Sequence, residues 1–276
     1  MIRKIKSILN SFSATDVKFT DSKFVTTRYE AEFFSLPSSF DGFKIAHLSD
    51  FHSQIPYLLI KTIESEKPDI IAITGDILDD KVNDVDTMAN FVGKLLGIAP
   101  VYFCSGNHDV GHKKWQRFLH SINAKGAVFC DDSLHTITKN GDEIAIFGIA
   151  DPFGKTEKTI EKSLKASLDS LPEYDGFSLL LFHRANEFEK IATGNFDLVL
   201  SGHMHGGQVQ IPGVGGLLPP KSSLFKTGRT FFPKYCNGLY RRANTYLEVS
   251  CGLSNTLPVP RLFNPPELCI FTLRCE

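Results

Sequence analysis

The sequence predicts a single α/β domain over residues 42–276 that contains a parallel sheet. Short apolar runs alternate with longer segments of helical periodicity, which is typical of consecutive βαβ units. Polar side chains that can bind metals follow directly after several of these runs, at the strand ends where open α/β sheets place their ligand crevices. A length of 276 residues permits two small domains. The motifs, however, run through one continuous pattern.

The first half of the chain predicts three strands and the two helices that connect them. The strands are expected at residues 43–49, 70–74 and 100–104, and the helices at residues 57–66 and 84–97. The second half predicts helices and strands in a similar alternation. Helices are expected at 112–121 and 156–169, and strands at 134–138, 144–149, 178–182 and 196–200.

The remaining segments carry weaker patterns. Runs at 245–250 and 267–273 predict edge strands or strands of a second sheet. Glycine and proline are frequent in residues 206–240, which predicts a loop that overhangs the site. Residues 1–41 are expected to form an N-terminal extension that includes a first strand. Its first nine residues combine apolar and basic positions, which suits either an amphipathic helix at an anionic membrane surface or an ordinary packed helix.

Composition limits the classes of partner. The chain has 30 Lys and Arg against 31 Asp and Glu, so no overall positive field attracts nucleic acid, and no nucleic-acid partner is expected. No run approaches the roughly 20 apolar residues of a membrane span. The six cysteines show no Cys-x-x-Cys spacing and are expected to be reduced, which predicts a cytoplasmic location. The basic N-terminal segment adds the expectation of peripheral contact at the inner face of the membrane.

Five short segments carry the metal-binding side chains. They are Asp50-Phe51-His52, Gly75-Asp76-Ile77-Leu78-Asp79, Gly106-Asn107-His108-Asp109, His183 and Gly202-His203-Met204-His205. One four-coordinate ion would leave several of these groups without a partner, so the set favours two adjacent divalent cations. A hydrolase whose attacking water is prepared by a metal pair is therefore expected.

The spacing within the segments suggests roles. Asp50 and His52 would point the same way if their segment is extended, and so would His203 and His205. Asp76 closes a strand, and its two carboxylate oxygens could bridge two cations about 3.5–4 Å apart. Asp79 is expected to be a cap or an indirect partner.

The third segment predicts an acid–base group. Asn107 offers a weak carbonyl ligand. His108 follows it directly and is expected to donate a proton to the leaving oxygen. Asp109 is expected to accept from the other nitrogen of His108 and to orient the imidazole.

These five segments resemble the calcineurin-like metallophosphoesterase superfamily, over roughly residues 42–250. The resemblance implies a four-layer α/β/β/α sandwich of two mixed sheets with the metals at the carboxyl ends of the strands. It also implies two divalent ions, Mn, Fe, Zn or Ni. One ion would take Asp50, His52, Asp76 and His205, and the other Asp76, Asn107, His183 and His203. The segments 202–208 and 237–240 are similar to a bacterial phosphodiesterase branch that often carries an N-terminal membrane anchor.

The expected reaction is hydrolysis of phosphodiesters, or of phosphomonoesters, by a hydroxide that bridges the metals. A pyrophosphatase acting on a nucleotide-linked lipid such as UDP-2,3-diacylglucosamine is the main alternative, because the loops are rich in phenylalanine. A non-catalytic metal-binding scaffold is a remote one. The substrate is expected to be a small or lipid-linked phosphoester, met by the weak candidates Gln208, Lys226, Arg229 and Arg241.

Overall fold

The computed structural model describes residues 17–21, 23–192, 196–218, 231–254 and 260–276. Two six-stranded mixed sheets form the centre of this part of the chain. In spatial order the first sheet contains β2 (Val25–Phe33), β16 (Glu267–Cys275), β3 (Lys44–Leu48), β5 (Ile70–Thr74), β6 (Val101–Cys104) and β7 (Val128–Phe129). The second sheet contains β14 (Gly238–Arg242), β15 (Thr245–Val249), β11 (Leu198–Gly202), β10 (Ser178–Arg184), β9 (Asp142–Gly148) and β8 (Ser133–Lys139).

Helices and two small ribbons complete the described structure. The α-helices are α1 (Leu59–Glu66), α2 (Val85–Leu96), α3 (Asn107–Gly111), α4 (Trp115–Ala124), α5 (Glu157–Ser170) and α6 (Phe188–Ile191). The ribbons pair β1 (Lys18–Thr20) with β4 (Gln54–Pro56) and β12 (Gln210–Ile211) with β13 (Gly215–Gly216). Within the described ranges, no helix combines the length and the apolar character needed to cross a bilayer.

Three apolar cores separate four layers. The first core lies between α1, α2 and α4 and the outer face of the first sheet. The second lies between the two sheets. The third lies between the second sheet and α5 and α6. The predicted α/β/β/α sandwich with two mixed sheets is confirmed.

Local sequence explains the individual elements. In α2 the buried positions recur at helical spacing, and the side chain of Asp84 caps the helix by accepting from the backbone N–H of Thr87 at 3.1 Å. Every residue of β5 is buried, because helices cover one face of the first sheet and the second sheet covers the other.

The prediction for residues 267–273 was wrong. β16 is an interior strand of the first sheet, parallel to β2 over nine residue pairs and antiparallel to β3. An apolar run specifies a buried strand but not its neighbours, so the sequence pattern could not place it. β15 does belong to the second sheet, between β14 and β11. β2, in the predicted N-terminal extension, is one of the two edge strands of the first sheet, whereas the basic segment of residues 1–9 lies outside the described residues.

The core between the sheets provides a matched test of this architecture. Phe177 is fully buried and makes an edge-to-face contact with Phe33, whereas Phe34 is 92% exposed. We expect Phe177→Ala to lower the free energy of unfolding by about 3–5 kcal/mol, because it leaves a cavity between two rigid sheets. Phe34→Ala should change it by less than about 0.5 kcal/mol. Urea unfolding of the two variants measures both values, and equal losses would contradict the assignment of this core.

Candidate metal centre

The carboxyl ends of strands from both sheets meet at one edge of the sandwich. The backbone N–H of Asp50, just after β3, donates to the carbonyl of Gly75, just after β5, at 3.1 Å. The backbone N–H of His203, just after β11, donates to the Asp50 carboxylate at 3.0 Å. His183, in β10, donates from Nδ1 to the carbonyl of Thr74 at 2.7 Å. The last two of these bonds join the second sheet to the first where the predicted ligands lie.

Left-handed backbone conformations are concentrated here. Positive φ angles occur at five of the seven predicted ligands, Asp50, His52, Asp76, His203 and His205. Each such residue costs on the order of 1–3 kcal/mol and is kept only where the surroundings hold it. The positive φ angles show that neither Asp-x-His nor His-x-His is an extended segment, so the condition under which each pair would point the same way from a strand is not met. The sharp turns, rather than strand alternation, direct the side chains.

Two glycines make the close approach of these turns feasible. Gly75 has a φ of +83°, and a Cβ at this position would lie 2.5 Å from the backbone nitrogen of Gly106. At Gly202 a Cβ would lie 2.4 Å from Oδ2 of Asp50. A side chain at either position would displace an adjoining segment of the site.

The first ligand group consists of Asp50, His52 and His205. Their nearest ligand atoms all lie within 4.8 Å of one another. Nε2 of His205 is 3.4 Å from Oδ1 of Asp50 and 3.2 Å from Nε2 of His52. Nε2 of His52 is also 3.6 Å from Oδ2 of Asp76, so Asp76 adjoins this group.

The second ligand group consists of Asp76, His183 and His203, again within 4.8 Å. Nε2 of His183 is 3.3 Å from Oδ2 of Asp76 and 3.2 Å from Nδ1 of His203. Because Nδ1 of His183 donates to the Thr74 carbonyl, Nε2 is the nitrogen left to bind a cation. The structure thus brings the predicted imidazoles together in two adjacent groups that meet at Asp76.

Unsatisfied oxygen atoms fit a metal centre. Oδ1 of Asp50 and Oδ1 of Asn107 are buried and have no hydrogen-bond partner among the described residues. The other oxygen of Asp50 accepts from the N–H of His203 and the hydroxyl of Ser49. Buried polar atoms without partners are costly, and a cation beside each of these oxygens would compensate for that cost. The nitrogen and oxygen donor set suits divalent transition metals.

The electrostatics of the site favour ionised carboxylates, neutral imidazoles at His203 and His205, and a protonated imidazole at His183. Burial alone would raise the pKa of Asp50, but the neighbouring imidazoles, His205 foremost, hold it well below its usual range. Burial lowers the pKa of His205 to about 3, and burial together with the charge of His183 holds the pKa of His203 well below its usual range. Burial also opposes protonation of His183, but Asp76 outweighs it and raises the pKa to about 10. A divalent cation would take over the charge that this proton supplies.

His108 lies at the opening of the site, beside His52, with a distance of 4.6 Å between ring centroids. Its Nδ1 contacts Oδ1 of the exposed Asp80 at 2.5 Å. Burial lowers the pKa of His108, but the charges of Asp76 and Asp80 outweigh that effect and raise it. The imidazole is therefore held in its protonated form to higher pH than usual.

The expected partnership of Asp109 with His108 was wrong. The carboxylate of Asp109 is fully buried and accepts from the backbone N–H groups of Leu78 at 2.8 Å and Gly106 at 3.0 Å. Asp109 is the third residue of α3, so its side chain folds back to cap the start of that helix. Burial, reinforced by Asp76, raises its pKa to about 7. Asp80 orients His108 instead.

Other residues around the site carry no metal motif. The guanidinium of Arg261 lies 3.4 Å from Nδ1 of His205 and donates to the carbonyls of Cys251 and Ser254. Nδ2 of Asn264 donates to the carbonyl of His205 at 2.7 Å. Neither residue lies near a recognisable motif, so the sequence carries no signal that places them at the site.

A charged pair also supports the His183 strand. Arg184, the residue after His183, makes a bidentate ion pair with Asp151 at 2.7 and 2.8 Å. Both side chains are largely buried, so the pair fixes the end of β10 with little freedom.

Of the four weak substrate candidates, one lies at the site, one lies away from it and two fall outside the described residues. Gln208 is buried directly after the turn that contains His205, and its N–H donates to the His205 carbonyl at 3.0 Å. Arg241 lies away from the site, because it pairs with Tyr246 near the amino end of β15 and its guanidinium covers that ring at 5.0 Å. Lys226 and Arg229 fall outside the described residues.

Comparison with known proteins agrees with this geometry. The family model described as calcineurin-like phosphoesterase matches residues 43–207. The uncharacterized metallophosphoesterase YkuE of Bacillus subtilis is 30% identical over 90% of this chain and 85% of its own length. Phosphodiesterase YaeI of Escherichia coli is 29% identical over 64% of this chain and 66% of its own length. The chain therefore belongs to the calcineurin-like phosphoesterase family and is a metal-dependent phosphoric ester hydrolase.

Proposed function

We propose that the chain hydrolyses phosphodiesters at a centre of two divalent cations. The observation that carries the proposal is the pair of adjacent ligand groups that meet at Asp76. One group would use Asp50, His52 and His205, and the other His183, His203 and Asn107, with Asp76 shared. Mn, Fe, Zn and Ni all accept these nitrogen and oxygen donors. When bound, such cations neutralise the charge of a phosphoryl group and lower the pKa of water from about 15.7 toward about 7.

The residues of the chain supply the other requirements of the reaction. His108 lies at the opening of the site with a raised pKa, which suits a group that protonates the departing oxygen. Asp80 fixes the ring through Nδ1, so Nε2 is the nitrogen that would face the substrate. The left-handed turns hold the ligand side chains before any substrate binds, so little reorganisation is required during the reaction.

Exposed apolar side chains at the opening favour a lipid-linked phosphoester as a second candidate. Phe263 is 79% exposed and precedes Asn264, which is bonded to the His205 carbonyl. Phe263 and the exposed Phe232 both have positive φ angles, which is uncommon for bulky residues. Leu262 pairs with Val209 on the segment that follows His205. A substrate with an anionic phosphoryl group and an aliphatic chain would use both the cations and this apolar surface.

The shared carboxylate provides the first test of the proposed function. Asp76→Asn keeps the shape of the side chain but removes the charge that two cations would share. We expect metal content to fall below two ions per chain and hydrolysis of bis-p-nitrophenyl phosphate to fall by more than about 100-fold. Asp79→Asn is the control, because the Asp79 side chain accepts from the N–H of Lys81 instead. If the Asp76 variant retains two ions and full turnover, the proposed centre is incorrect.

The second test concerns the proton donor. Asp80 raises the pKa of His108, so Asp80→Asn should lower it, and the protonated imidazole is then lost at lower pH. We expect the alkaline limb of the pH–rate profile to move to lower pH in this variant. With a diester whose leaving group is a poor one, such as an alkoxide, His108→Ala should retain its metals, lose that limb and slow turnover by about 10²–10⁴-fold. An unchanged alkaline limb in both variants would remove His108 from the mechanism.

The third test separates the second candidate from the first. Phe263→Ser should lower kcat/KM for hexadecyl p-nitrophenyl phosphate, because the aliphatic chain loses its apolar contact, and should leave ethyl p-nitrophenyl phosphate unaffected. Phe34→Ser provides a matched control, because Phe34 directly follows β2 and is also exposed. If Phe263→Ser changes kcat/KM for the hexadecyl and the ethyl substrate by the same factor relative to the wild type, a role of this residue in binding the aliphatic chain is excluded.

A further inference from the structure

A cluster of polar side chains is buried between the two sheets, behind the metal centre. It contains His47 of β3, Thr74 of β5 and Cys269 of β16 from the first sheet and Glu248 of β15 from the second. All four residues are completely buried. The surrounding core is apolar, so these groups can satisfy one another but have no access to water.

Direct contacts join the cluster into a chain. Nδ1 of His47 is in direct hydrogen-bond contact with the Glu248 carboxylate. Nε2 of His47 lies 2.7 Å from the hydroxyl of Thr74. The second sheet is thereby bonded, through one imidazole, to the last residue of β5.

Thr74 extends this chain to the proposed metal ligands. Its carbonyl accepts from Nδ1 of His183 at 2.7 Å and from the hydroxyl of Ser49 at 3.3 Å. The same hydroxyl contacts Oδ2 of Asp50 at 2.7 Å. Thr74 therefore contacts the cluster through its side chain and two ligand-bearing segments through its backbone.

We propose that Glu248 and His47 are positioning residues, which act through Thr74 to keep Nε2 of His183 turned toward Asp76. The inference rests on the proposed function, because it assigns His183 and Asp76 to a shared cation site. Thr74 is the last residue of β5, where its backbone pairs with Cys104 of β6 directly before the turn at Gly75. The bond from His47 to the Thr74 hydroxyl restrains the side chain of the residue whose carbonyl holds His183, and Glu248 of the opposite sheet holds His47 in turn.

The energetic balance argues against a role in core packing alone. Oε1 of Glu248 is buried and has no hydrogen-bond partner in the described part of the chain. Replacing a buried ion pair by apolar residues of similar volume is often neutral or stabilising. A cluster that served only to join the sheets would therefore be less costly if it were apolar.

The direct contact between His47 and Glu248 argues against a further metal site, although His47, Glu248 and Cys269 offer suitable atoms. Ligands of one zinc ion lie about 2.0–2.3 Å from the metal in a tetrahedral arrangement, which places them more than about 3 Å from one another. Nδ1 of His47 and the carboxylate of Glu248 are instead in direct hydrogen-bond contact. The pair is bonded to itself rather than arranged around an ion.

The test removes the hydroxyl that links the cluster to the site. Thr74→Val keeps the shape of the side chain but not its bond to His47, and Thr74→Ser restores the hydroxyl. We expect Thr74→Val to weaken binding of Mn²⁺ at one of the two sites by about 10–100-fold in titration calorimetry of the metal-depleted full chain. Thr74→Ser should bind as the wild type does. Glu248→Leu should resemble Thr74→Val, and Glu248→Gln, which still accepts from Nδ1, should resemble the wild type.

Phe33→Leu controls for loss of stability, because Phe33 lies in the same core and contacts neither Thr74 nor His47. It should lower the unfolding midpoint but leave Mn²⁺ affinity unchanged. The inference is overturned if Thr74→Val binds Mn²⁺ as tightly as the wild type, or if Phe33→Leu weakens binding equally. Failure of the wild-type chain to bind two Mn²⁺ ions would instead overturn the proposed function.

Discussion

Two carboxylates, Asp50 and Asp76, are buried side by side, and the structure of the site follows from the need to compensate their charges. Four imidazoles, backbone N–H groups and the Ser49 hydroxyl surround them. Buried carboxylates are tolerated only with such partners. The partners come from both sheets, so charge compensation also fixes how the sheets meet at this edge. Backbone strain at the ligands persists because these contacts leave no relaxed alternative.

Sequence was sufficient for the fold class and for the order of the ligand segments. Apolar runs that end in Asp50, Asp76 and His183 identify buried strands and place their last side chains at one edge. The spacing of apolar residues, every second position in strands and every third or fourth in helices, identifies each element from its own sequence alone. The division of the ligands into two groups followed from the family resemblance rather than from spacing, because the sharp turns that direct the side chains leave no local pattern in the sequence.

Features that depend on pairing between distant segments could not be predicted. The neighbours of β16, the contact of Arg261 with His205 and the bond between His47 and Glu248 all join parts of the chain with no shared local pattern. Asp109 is different, because an acidic residue at the third position of a helix is a known cap. Once residues 107–111 are taken as a helix, Asp109 is expected to cap it, and Asp80 is left as the acidic partner of His108.

The interior position of β16 has a consequence for biosynthesis. Its bond between Glu267 and Thr27 joins residues 240 positions apart, and it separates the two early strands β2 and β3. During translation these early strands remain without the neighbour that will lie between them, and their unpaired edges can associate wrongly. Such long-range pairing also slows folding, since a large loop must close before the contact forms. β16 must therefore emerge from the ribosome before the first sheet can be completed.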